Sequence, residues 1–147
     1  MSEEEYQITT DLLDEAYKNV RMASFAIDCI IDKIEEKALE DLLRKQNTFY
    51  LDMVTKLENL SSELKHEPKD INIFLKGSSF ASIKMKTMIN NESSKLAEML
   101  VQGTTMGITD TLKAKSDYPT KNKLLSTYID QIIHHEEEFV DSLKSFL

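Results

Sequence analysis

Seven apolar residues, Leu13, Ala16, Val20, Ala23, Ile27, Ile30 and Ile34, recur at alternating intervals of three and four. That spacing returns to one face of an α-helix every turn, and no strand keeps it. Tyr17, Ser24 and Ile31 widen the stripe. The chain holds only 3 Gly and 2 Pro, so little interrupts such a pattern over its 147 residues. Long amphipathic helices are therefore the element this sequence builds best.

Three further segments repeat the pattern. In the second, Leu39, Leu43, Gln46, Tyr50, Met53, Leu57, Leu60 and Leu64 form a seam with one polar member, Gln46. In the third, the expected seam is Met85, Ile89, Glu92, Leu96, Met99, Gly103, Met106 and Asp110. Gly103 and Gly107 lie one turn apart there, which predicts close approach of another helix in preference to a kink. In the fourth, Leu125, Ile129, Ile132, Glu136, Phe139, Leu143 and Phe146 form the seam, so the C-terminus is expected to be ordered. Helices are predicted at about 9–36, 38–65, 80–115 and 120–147, the first capped by Thr9 or Thr10. Pro68 and Gly77 mark the long central connection, with a brief turn over 72–75 and caps at Ser78 and Ser79. The expected fold is all-α: one domain, an up-down-up-down antiparallel four-helix bundle.

Composition narrows the function. Hydrophobic residues make up 41% and charged residues 30%, which predicts a folded, soluble protein rather than a disordered one. A formal net charge of −8, with no basic stripe, argues against nucleic-acid and anionic-membrane partners. No apolar run reaches the ~20 residues of a membrane span. MSEEEYQ has no secretory character, and the single Cys29 reads as a small apolar residue. A cytoplasmic location is the expectation.

The stretch IIHHEEEF, residues 132–139, looks most like chemistry. The seam divides it. Ile132, Ile133 and Phe139 face the core, while His134, Glu137 and Glu138 lie on the acidic outer face with Asp130, Gln131 and Asp141. Only Glu136, with His135 at the boundary, remains as a candidate metal ligand. The methionines Met53, Met85, Met88, Met99 and Met106 read as adaptable core filling before they read as thioether ligands. No Gly-rich phosphate loop, Cys pair or HExxH motif occurs, and no catalytic residue is assigned.

The stretch SSKLAEMLVQGTTMGITDTLKAK and the ending HHEEEFVDSLKSFL resemble the ferritin-like superfamily. They are similar to small bacterial ferritin-like proteins of unknown function. The resemblance spans roughly residues 11–147. It implies a helical bundle and, in the active members, an iron pair at mid-bundle. That pair takes a carboxylate from each of two helices and Glu-x-x-His from each of the other two.

This sequence departs from that pattern. Its one Glu-x-x-His, Glu63 to His66, falls beside Pro68 at a helix end, where His66 is expected to face solvent. The fourth helix offers only Gln131-x-x-His134. Simple register places Val20, Met53, Met99 and Glu136 at one level, and Ile27, Gln46, Met106 and Ile129 at the next. Gln46 is expected to reach Asp110, and Glu136 to pair with His135 or Asn19. These expectations favour a non-catalytic bundle without cofactor, acting through a protein partner or as a homodimer. The alternative is an iron-binding oxidoreductase or storage protein with a degenerate site.

Overall fold

The computed structural model describes residues 1–69, 71 and 92–147. Among them the chain is all-helical. α1 spans Glu3–Ile30, α2 Lys37–Glu63, α3 Ser93–Asp117 and α4 Lys123–Leu143. Short 3₁₀ turns follow α1 at Ile31–Lys33 and α4 at Lys144–Phe146. No described helix is long and apolar enough to cross a membrane. The expected helical start at 80–91, the turn at 72–75, Gly77, the caps Ser78 and Ser79, and Met85, Met88 and Ile89 lie outside the described residues.

α1 begins about two turns earlier than its apolar stripe suggests. Ser2 is the N-cap, and its Oγ accepts from the Glu5 amide at 3.1 Å. Glu3, Glu4 and Glu5 follow in the first turn, where negative charge suits the helix dipole. The cap expected at Thr9 or Thr10 is therefore corrected. Both threonines are buried inside the helix; Thr9 meets Thr120 at 2.6 Å and Thr10 donates to the Gln7 carbonyl at 3.2 Å.

The helix directions follow from which residues meet. Tyr6 reaches the Leu64 carbonyl, Tyr17 reaches Glu58, and Ser24 reaches Asn47, so α1 and α2 are antiparallel. Thr9 meets Thr120 and Asn19 meets Thr111, so the chain through α3 also runs against α1. Glu5 meets Lys121 and Asn19 meets Glu136, so α4 runs with α1. Tyr50 meets Glu136 and Lys56 lies over Tyr128, so α2 and α4 are antiparallel. The directions are up, down, down, up. They correct the simple alternation expected from the helix pattern. α2 is 27 residues long, about 40 Å at 1.5 Å per residue. The chain leaves it at one end of the bundle and enters α3 at the other. Residues 64–92 are long enough to return that distance at ~3.3 Å per residue.

α1 packs chiefly on α2 and α3, and α4 on α3 and α2. Every neighbouring pair is thus antiparallel, and α1 and α4 face each other across the core. Leu13, Ala16, Val20 and Ile27 meet Leu39, Leu43, Met53 and Leu57 there, with Leu125, Ile129, Ile132 and Phe139 from α4. The stripe of α3 differs from the expected one. Leu96, Ala97, Leu100, Thr104, Thr111 and Ala114 are buried, while Met106 is 67% exposed and Gly103 and Asp110 lie open. Threonines occupy two inward positions, so an apolar count shifts the seam onto the methionines.

Candidate functional site

One level of the bundle carries the polar residues that meet across its core. Glu136, on α4, is 1% exposed. Its Oε1 accepts from Asn19 Nδ2 of α1 at 2.7 Å, and its Oε2 accepts from Tyr50 Oη of α2 at 2.9 Å. Asn19 Nδ2 also lies 2.9 Å from Thr111 Oγ1 of α3. α3 contributes a gap as well. A Cβ on Gly107 would sit 2.5 Å from Asn19 Oδ1 and 3.4 Å from Glu136 Oε2. Glycine is the residue that lets α3 approach this pair.

The reversal of the second hairpin, α3 and α4 alike, brings these residues together. It places Gly107 and Thr111 at the level of Glu136, where simple register had placed Met99. Asn19 reaches the carboxylate as one of its two expected partners. His135 does not join it: its ring stacks on Phe49 of α2, with centroids 3.9 Å apart and planes 13° from parallel. His134 is exposed and pairs with Glu138 at 3.0 Å. The expected Gln46–Asp110 contact is absent, because Asp110 faces outward on α3. Gln46 is instead buried, and its Nε2 has no hydrogen-bond partner among the described residues.

Burial dominates the electrostatics. It pushes the Glu136 carboxyl up to about 7 from 4.5, and the bonds from Asn19 and Tyr50 pull the other way. Burial, then the Glu136 charge, raise the Tyr50 hydroxyl well above its usual value, while the Gln46 side chain acts against them. Four helices therefore meet around one carboxyl group and a set of neutral donors.

A second polar contact lies at one end of the bundle. Asp14 of α1, 7% exposed, accepts from His66 at 2.9 Å and from the Lys69 amide at 3.3 Å. His66 is therefore not the solvated helix terminus expected of it; it fastens the chain leaving α2 onto α1. Lys65, just before it, adopts a positive φ of 54°, and Tyr6 Oη donates to the Leu64 carbonyl. Asp14 is polar on the buried side of an apolar stripe, which was the available signal for this contact.

These residues do not fit a di-iron pair. Among the described residues no three His, Cys, Asp or Glu stand together. Of the residues outside the described ones, Asp70 alone belongs to these four types. Tyr50 and Asn19 each direct a hydrogen at a Glu136 oxygen and take up part of its acceptor capacity. The chain matches no protein-family model, no curated protein and no solved structure.

Proposed function

We propose that this protein is a ferritin-like bundle that does without the di-iron centre and acts by association, as a structural or interaction protein in the cytoplasm. The topology supports the ferritin-like reading: two antiparallel hairpins joined by one long crossover is the connection such bundles use. The neutral surroundings of Glu136 carry the rest. Each helix places a residue at the level where a di-iron protein places ligands, yet Asn19, Tyr50, Gly107 and Thr111 stand around the single carboxyl. That set ties helices together; it does not hold two cations or a reacting oxygen. Catalysis is not assigned to it. Leu51, Met106, Leu112, Leu124 and Leu147 are large apolar side chains exposed on the outside, and the tendency of ferritin-like bundles to associate through helix faces is what supports contacts to a second protein.

Two measurements test this reading. Anaerobic Fe(II) loading, followed by desalting and elemental analysis, is expected to leave no stoichiometric iron. Retained iron with oxygen uptake, lost in Glu136→Ala, would establish the iron oxidoreductase or storage reading instead. Light scattering across a concentration series is expected to give a mass above that of one chain. A single-chain mass at every concentration, with no protein recovered in a pull-down, removes the association claim.

A further inference from the structure

The buried amide nitrogen of Gln46 lies one helical turn from Tyr50, the residue that bonds the buried carboxyl, and has no hydrogen-bond partner among the described residues. Gln46 is 7% exposed, and a buried donor without a partner is uncommon enough to need a reason. It stands one turn before Tyr50 on the same face of α2, close enough to act on the Tyr50 hydroxyl. Tyr50 in turn bonds Glu136 at 2.9 Å. Gln46, Tyr50 and Glu136 therefore form a row, with Asn19 closing the far side.

We propose that Gln46, Tyr50 and Glu136 form a reversible hydrogen-bond chain through which the bundle takes up one proton at its centre, an acid-sensing switch built into the core. Without the proton, Tyr50 Oη donates to Glu136 Oε2 and Asn19 donates to Oε1, as the structure has it. With it, a proton from a solvent acid resides on Oε2, which donates to Tyr50 Oη. Tyr50 turns its own O–H toward Gln46, whose amide rotates by half a turn and accepts through Oε1. Asn19 donates in both forms. One O–H bond forms on Glu136, and the solvent acid loses the matching proton. A glutamine supports both directions because its two ends are a donor and an acceptor.

The surroundings make the charge on Glu136 matter. α1 presents Asn19 to it, backed by Thr111 of α3; α2 presents Tyr50, backed by Gln46; and α3 presents Gly107. Tyr50 is the titratable member of that set, and among the described residues no cation bonds the carboxylate. A folded-state value near 7 against 4.5 means that the folded chain holds the proton more tightly than the unfolded one. The stabilisation is complete below about 4.5, falls as pH rises, and is lost above about 7. Acidification toward pH 5 tightens the junction of four helices; alkalinity loosens it.

Infrared difference spectra of the full chain, recorded from pH 5 to 9, test the switch. The expected result is a protonated-carboxyl band with a midpoint near 7, absent in Glu136→Gln. No such band, or a midpoint near 4.5, overturns the proposal. Gln46→Leu keeps the carboxyl and tests the chain itself. The Gln46 amide carbonyl, turned to accept from Tyr50 only in the acid form, should add a band shift in the wild type with the same midpoint as the carboxyl band, and Gln46→Leu should lack it; identical difference spectra in the two proteins overturn the reversible chain. Thermal melts give an independent reading. The wild-type melting temperature should drop by about 5 °C between pH 5.5 and 8 relative to Glu136→Gln. Parallel curves overturn the coupling to packing. If Glu136→Gln does not fold, the Gln46→Leu spectra decide alone.

Discussion

Asn19 Nδ2 and Glu136 Oε1 meet at 2.7 Å across the core, joining α1 to the helix that faces it on the opposite side of the bundle. The apolar side chains around them are non-directional and tolerate sliding. A hydrogen bond to a buried carboxylate does not, so this pair sets the level at which the two hairpins lock together.

Asn19→Ala removes that bond and the one to Thr111 Oγ1 without adding bulk. It leaves a buried carboxylate oxygen short of a donor, at an expected cost of about 1–3 kcal/mol in chemical denaturation. The bond favours the charged form of Glu136, so the loss should be larger at pH 8 than at pH 5. Equal losses at both pH values would mean that Asn19 acts through packing alone.

The two helical glycines should respond in opposite directions to alanine. Nothing lies within 4 Å of a Cβ at Gly103, so Gly103→Ala should stabilise α3 by up to about 1 kcal/mol through helix propensity. At Gly107 the same methyl would stand 2.5 Å from Asn19 Oδ1 and must displace it. Gly107→Ala should destabilise by roughly 1–3 kcal/mol. Paired thermal melts check both signs.

The helices and most of their inward faces were legible from the sequence because aliphatic residues at intervals of three and four report burial directly. α1 shows this from Leu13 to Ile30, and α4 from Leu125 to Leu143. The directions of α3 and α4 were not legible. An apolar stripe reads the same with the helix running up or down, and only contacts such as Asn19 with Thr111 distinguish the two. That reversal hid part of the site: Glu136, Asn19 and the close approach at Gly107 were legible along the seams, whereas Thr111 joined them only once the second hairpin was turned over, and Gly103 proved open. His66 was misplaced for a related reason. Its partner Asp14 lies far away in sequence, beyond the reach of a rule about helix ends.

Substitutions on α3 separate the observed seam from the expected one. Leu100 is 7% exposed and Met106 is 67% exposed. Leu100→Ala should cost about 2–5 kcal/mol, as truncation of a core leucine does. Met106→Ala should fall within about 0.5 kcal/mol of wild type. Urea unfolding of the two variants at one pH gives the comparison, and a reversed ranking would return the seam to the methionines.

The contact of Asp14 with His66 and Lys69 makes a prediction about one end of the bundle only. Asp14→Ala removes the acceptor for both the His66 ring and the Lys69 amide, and the expected cost is about 1–3 kcal/mol. Its effect should also be local. The amides of His66 and Lys69 should lose hydrogen-exchange protection, while those of α4 around Ile132 to Glu136 keep theirs, because no bond of the Glu136 set passes through Asp14. Asp14→Asn keeps one acceptor oxygen and should restore part of the protection at Lys69. Uniform loss across all four helices would instead make Asp14 part of the global core rather than a fastening for the chain that leaves α2.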